Sequence, residues 1–138
     1  MIRRVILDTR TLVSAALRAG SIPEQALAKT LRSCELCASE ETLHEWAAVL
    51  ERNKFDRYLD LELRRSFVTL IRNSAQLFAV QEADRLAVKP ACRDPKNNLF
   101  LALAVACEAE VLVSSDEDLL VLDPWNRVRI VTAREFLL

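Results

Sequence analysis

Short apolar runs that each end in a helix-start residue are the feature that most restricts what this chain can become. "RRVIL" runs into Asp8, "CELCA" into Ser39, "EVLV" into the acidic turn "SSDED", and "VRIV" into Thr132. Successive side chains of a strand point to opposite faces, so a run that is apolar at consecutive positions suits a strand covered on both sides. Strands that alternate with helices are joined by crossovers and lie parallel. The pattern predicts an α/β fold: a parallel sheet with helices over both faces.

The segments between the runs carry helix signals. "LVSAALRA" reads as a helix stopped near Gly20, and "SIPEQALAKTLRS" opens with Ser21 and Glu24 at capping-box spacing. "SEETLHEWAAVLER" is capped by Ser39. "FDRYLD" and "ELRRSFVTLIRNSAQLF" predict a helical arm with an apolar stripe at Leu63, Phe67, Leu70, Ile71 and Leu77, followed by a weak strand at Phe78–Val80. "DPKNNLFLALA" reads as a helix entered through Asp94 and Pro95, and "VRIVTAREFLL" as a strand and a helix capped by Thr132 and Glu135. The chain has 138 residues and shows no repeat or linker, so one domain over 1–138 is expected.

Composition removes several function classes. With 51% hydrophobic residues and a single Gly, a sizeable core is expected and a disordered chain is not. A net charge of -1 argues against broad nonspecific nucleic-acid binding, which runs on many Lys/Arg–phosphate contacts, but leaves room for a local basic patch. No apolar run reaches membrane-spanning length, and the one in "MIRRVILDTR" is too short for a signal-peptide core, so a cytoplasmic location away from membranes is expected. Cys34 and Cys37 in "CELC" have half-zinc-site spacing, but no second CxxC completes it, and buried reduced thiols are the expectation.

The acids carry the chemistry. Ligands of parallel sheets bind at the carboxyl ends of the strands, where the topology reverses. Asp8 ends the first strand and Asp116 and Asp118 lie just past "VLV", so two strands deliver acids to one edge; Glu45, on a helix that follows another strand, can join them. Each has an ordinary alternative: Asp8, Asp94, Asp116 and Asp118 suit helix caps, and Glu45 a solvated helix face. Gathered carboxylates repel, and protonation or a cation relieves them. A hard cation such as Mg²⁺ takes oxygen ligands and supports phosphodiester cleavage by activating water. Arg93 and Lys96 are candidates for steering a phosphate.

At these residues the chain resembles the PIN-domain nucleases, in particular the branch of toxin components of bacterial toxin–antitoxin pairs. "VILDTRTLVSAAL" resembles that branch's strand, Asp-Thr-Asn and helix; "ASEETLHEWAAVLER" its Ser-initiated helix with an acid matched by Glu45; "CRDPKNNLFLALA" its Arg-Asp-Pro-x-Asp-Asp entry; "VLVSSDEDLL" its Thr-Gly-Asp-x-Asp-Leu; and "RIVTAREFL" its tail. The resemblance implies a three-layer α/β/α sandwich with a central parallel sheet. It also implies a site for Mg²⁺ or Mn²⁺ at Asp8, Glu45 and Asp116, with Asp118 as a weaker fourth ligand, hydrolysis of single-stranded RNA, and a cognate antitoxin or a second copy as partner.

Two positions depart from that pattern. Arg10 stands where the family has Asn, and Asn97 where it has an acid of the metal set. Arg10 is expected to approach Asp8 as a competing cation or to contact substrate; Asn97 keeps only a neutral carbonyl oxygen, a weakened ligand. The rival to a nuclease is therefore an impaired PIN fold that binds an antitoxin, itself or RNA without cutting. A phosphatase of the haloacid-dehalogenase type needs a second acid where Arg10 stands and is set aside.

Overall fold

The computed structural model describes residues 2–138. Strands β1 (Arg4–Leu7), β2 (Glu35–Ala38), β3 (Gln76–Leu77), β4 (Val111–Val113) and β5 (Arg129–Val131) form one sheet in the order β3-β2-β1-β4-β5, with every pairing parallel. The connections are α1 (Thr9–Leu17), α2 (Ile22–Ser33), α3 (Glu40–Leu50), α4 (Leu61–Ser74), α5 (Glu82–Leu86), α6 (Asn98–Cys107) and α7 (Glu117–Leu120), and α8 (Ala133–Leu137) follows β5. Val5, Ile6, Leu7, Leu112 and Val113 are all fully buried. Consecutive burial of this kind requires cover on both sheet faces, as their unbroken apolar runs require. Trp46, Phe100 and Trp125 fill the core around them.

Local signals set most helix starts. The Asp8 carboxylate accepts from the Thr11 amide and opens α1 three residues before the start expected from the apolar run. Ser21, Ser39 and Thr132 cap α2, α3 and α8 with their hydroxyls, and Glu135 completes a capping box with Thr132. At α2 the box is displaced: Glu24 reaches back to the Gly20 amide. The "DPKNN" entry is a 3-10 turn over Pro95–Asn97, capped by Asp94, before α6 begins at Asn98.

The arm corrects the expected stripe. Leu63 and Leu70 are 54% and 56% exposed and Leu77 is also exposed, whereas Ile71 is buried and Phe67 half-buried. The inward face of α4 is Arg64, Phe67, Val68 and Ile71, the same helical period shifted by one position around the axis. Arg64 takes the leading buried place because its guanidinium meets backbone carbonyls that an apolar residue would leave unpaired. The edge strand also falls at Gln76–Leu77 rather than Phe78–Val80: α4 ends at Ser74, and the pairing with Cys37 and Ala38 follows at once.

From β1 the chain moves outward to β2 and β3, then returns past β1 to β4 and β5. The reversal lies between β1 and β4, which pair from Val5–Val111 to Leu7–Val113. The carboxyl ends of these neighbours are Leu7 and Val113, so the residues after them share one crevice.

Candidate active site

Asp8 enters this crevice from the end of β1. It is 2% exposed. One carboxylate oxygen accepts from the Thr11 amide at 2.9 Å and the other from the Ser114 hydroxyl at 2.5 Å. Burial pushes its carboxyl above the ordinary range, outweighing these hydrogen bonds, and the nearby negative charge of Asp116 adds to the shift. Asp116 arrives from the far side of the β1–β4 boundary. Its Oδ1 caps α7 at the Asp118 amide, 2.9 Å away, and its Oδ2 accepts from Asn97 Nδ2 at 3.0 Å. That Asn97 bond, with smaller help from the Asp118 amide and the positive charge of Arg10, holds Asp116 below the usual carboxylate range.

Ser114 ties the two acids together. Its hydroxyl donates to Asp8 and accepts from the Asp116 amide at 2.9 Å, and the side chain is fully buried. Sequence reading passes over this serine, because a Ser two residues before an acid is also common in plain turns. Glu45 reaches the same crevice from α3, held by the Thr9 hydroxyl at 3.3 Å. The capping and site readings of Asp8 and Asp116 thus describe the same atoms: one oxygen holds a helix start, and each carboxylate keeps free lone pairs.

A cavity of about 440 Å³ opens over these groups. Asp8, Glu45, Asp94, Asn97 and Asp116 line it. So do Arg10, Arg18, Arg52, Lys54 and Lys96, and among the described residues none of these five cations forms a salt bridge. Arg18, Arg52 and Lys54 were not anticipated; they stand at helix ends and in a turn, where charged residues carry no distinctive pattern. Asp118 contributes its amide and carbonyl but does not line the cavity, and exposed Arg93 lies outside it. Arg10 corrects an expectation: Asp8 is paired to Thr11 and Ser114, and the charge of Arg10 acts on Asp116 instead.

The donor set presented by Asp8, Glu45 and Asp116 is all oxygen, the chemistry of a hard divalent cation, and a buried carboxyl whose ionisation desolvation opposes is what such a cation relieves. Among the described residues no three His, Cys, Asp or Glu side chains stand close enough together to hold one ion by themselves. Among these acids stands the amide side chain of Asn97, whose nitrogen points at Asp116. Because Ser114 organises both acids, Ser114→Ala should cost about 1–3 kcal/mol in urea unfolding, the usual penalty for stranding buried partners. A cost near zero would show the bridge to be dispensable.

A family model described as the PIN domain matches residues 4–118. Among solved structures, the chain is similar in fold to the crystal structure of VapBC2 from Rickettsia felis bound to a DNA fragment from their promoter. The TM-score is 0.62 at 16% identity, with 92% of this chain and 96% of that chain covered. It is also similar to the crystal structure of PAE2754 from Pyrobaculum aerophilum, with a TM-score of 0.62 at 15% identity, covering 98% of this chain and 88% of that one. No curated protein matches the chain.

Proposed function

The chain belongs to the PIN-domain family, and on that premise we propose that it is a metal-dependent endoribonuclease, the toxin of a toxin–antitoxin pair, working with a partly depleted acidic site. One observation carries the reading: acids from three separate elements, Asp8, Glu45 and Asp116, share a cavity with five cations that form no salt bridge among the described residues. Acids alone would suit a cation store, and cations alone an anion site. Together they suit a polyanion brought against a divalent ion.

In this reading Asp8 and Asp116, with Glu45 beside them, hold Mg²⁺ or Mn²⁺. Two carboxylates suffice for Mg²⁺, which keeps several waters. The bound ion would supply a water nucleophile and neutralise charge on the attacked phosphate. Arg10 and Lys96, at the cavity wall beside the acids, hold the phosphates of single-stranded RNA, and Ser114 keeps the two aspartates at fixed separation. The fold shared with a VapBC2 chain supports an antitoxin as partner, with self-association as a further mode. No helix among the described residues is long and apolar enough to cross a membrane. Action in the cytoplasm is part of the proposal.

Cleavage of single-stranded RNA by purified protein, present with Mn²⁺ and abolished by chelator, tests the reading. A specific observation favours the rival, an impaired PIN fold that binds without cutting: Asn97 puts an amide donor, not an acceptor, toward Asp116. Asn97→Asp separates the two. In metal-free protein it removes a hydrogen bond and sets a second charge against Asp116; with metal it supplies an anionic oxygen, which hard cations prefer to an amide. Mn²⁺ affinity should rise on the order of tenfold, since ligand charge count tunes affinity of this kind. Titration of Mn²⁺ into a folded Asn97→Asp variant that binds no better than wild type would show that position 97 does not face the metal.

A further inference from the structure

The turn between α3 and α4 also faces the cavity. Residues 52–58, "RNKFDRY", form a 3-10 turn over Asn53–Phe55 and successive tight turns after it, with Asp56 and Tyr58 amides bonding back to the Asn53 and Phe55 carbonyls. Such a surface turn would ordinarily be mobile. Here one buried guanidinium holds it. Arg64 donates to the Leu50 carbonyl at 2.6 Å, the Arg52 carbonyl at 3.1 Å and the Leu59 carbonyl at 2.9 Å, and pairs with the Asp56 carboxylate. The carbonyls at both flanks of the turn are thereby fixed to α4.

What the fixed turn presents is specific. Arg52, Lys54, Phe55 and Tyr58 all line the cavity that holds Asp8 and Asp116. Tyr58 is 47% exposed, and the Arg57 guanidinium lies 5.1 Å from its ring centroid. Arg52 and Lys54 have no carboxylate partner among the described residues, although Glu51 and Asp56 are adjacent in sequence: Glu51 is taken by Arg65 and Asp56 by Arg64. Local acids are engaged elsewhere, and the cations are left facing the cavity. Unpaired cations with an exposed aromatic ring are the two elements of single-strand recognition, charge for the backbone and a flat face for a base.

We infer that residues 52–58 are the docking wall for the single-stranded RNA, in which Arg52 and Lys54 contact phosphates away from the cleaved bond and Tyr58 stacks a nucleobase. Arg64 is the positioning residue that holds this wall against the catalytic acids. The inference rests on the endoribonuclease reading and assigns its substrate-side contacts. Stacking on Tyr58 needs an unpaired base, so the wall also selects single strands over duplex.

The test measures binding of a short fluorescein-labelled oligouridylate by anisotropy in EDTA, and its cleavage in Mn²⁺. The variants are Arg52→Ala, Lys54→Ala, Tyr58→Ala and Tyr58→Phe, with Arg134→Ala, an exposed cation of α8, as charge control. All these side chains are exposed, so the variants should fold. Tyr58→Ala should weaken binding on the order of tenfold and Tyr58→Phe should restore it, as stacking predicts. Lys54→Ala and Arg52→Ala should each lower the salt slope of log K by roughly 0.7, the value for one phosphate on a single strand, and Tyr58→Ala should leave that slope unchanged. KM should rise in all three alanine variants with kcat largely retained. Mn²⁺-dependent cleavage with alanine variants indistinguishable from Arg134→Ala would overturn the docking wall and leave the nuclease reading standing. A wild type that neither binds nor cuts RNA would overturn both. Polyglutamate that displaces the probe, with Tyr58→Ala inert, would make the wall a site for an acidic peptide and overturn the inference.

Discussion

Asp8→Asn should abolish metal-dependent RNA cleavage, by on the order of 10²–10³-fold or more, while making the metal-free protein more stable. On the proposed nuclease reading, the loss of activity follows from removing the most buried acid of the cavity. The gain in stability follows from the state of the Asp8 carboxyl, which burial holds above its ordinary range despite hydrogen bonds from Ser114 and Thr11. A carboxyl raised on folding contributes stability while it is protonated and loses that contribution as pH rises through its folded value. Once pH exceeds that raised value, the ionised group in metal-free protein is therefore a cost. Asparagine is neutral, caps helices as well as aspartate does, and its carbonyl can accept from Thr11 or Ser114. The variant should gain about 1 kcal/mol in chelator on the alkaline side of the folded Asp8 value, a magnitude typical of relieving an incompletely compensated buried polar group. The gain should shrink toward acid pH, where wild-type Asp8 is itself protonated. Added Mn²⁺ should raise the melting temperature of wild type and leave the variant unmoved. Thermal scans of both proteins with chelator and with Mn²⁺ across this pH range are the check. An Asp8→Asn protein less stable than wild type in chelator would mean that the carboxylate is satisfied without a cation.

Arg64→Ala should be the most damaging single change to stability outside the apolar core, costing roughly 3–5 kcal/mol, from stranded buried acceptors at about 1–3 kcal/mol each together with the void left behind. The side chain is 0% exposed, and its removal strips partners from the Leu50, Arg52 and Leu59 carbonyls while leaving a guanidinium-sized void. The ion pair with Asp56 contributes little of this, because Asp56 is largely exposed. Arg64→Lys should recover only part of the loss, since an ammonium cannot span three carbonyls and a carboxylate with a planar fork. Urea unfolding followed by the fluorescence of buried Trp46 and Trp125 reads the cost. A loss below about 1 kcal/mol for the alanine variant would show that the turn is organised by its own hydrogen bonds, in the range of an ordinary single mutation.

Which of these features could be read in advance depends on the range of the physics behind them. Apolar runs and capping residues act over a few positions. They specified the four strands formed by such runs, the parallel sheet, the entries at Ser21, Ser39, Asp94 and Thr132, and the delivery of Asp8 and Asp116 to one sheet edge. Those local rules also left marks where they fell short. The stripe through Leu63 and Leu70 has the right period but faces outward, because period alone does not say which side of a helix the core will cover.

The rest was decided by contacts between elements distant along the chain. Ser114 bridges Asp8 and Asp116 only because β1 and β4 pair with Leu7 opposite Val113. Asn97 meets Asp116 only because the turn before α6 and the turn after β4 abut the same crevice. Arg10 follows Asp8 by two residues, in the helix that Asp8 caps, yet it acts on Asp116, since the carboxylate of Asp8 is already turned inward to Thr11 and Ser114. The burial of Arg64, and with it the placement of Arg52, Lys54 and Tyr58 over the acids, needs the end of α3, the turn and α4 to be assembled at once. The sequence by itself determined the sheet, its strand ends and the acids they carry, because periodicity and capping are short-range. Only the tertiary structure decided how those acids are held and which cations face them, because a hydrogen bond's few ångströms are bridged by packing and not by neighbourhood in the chain.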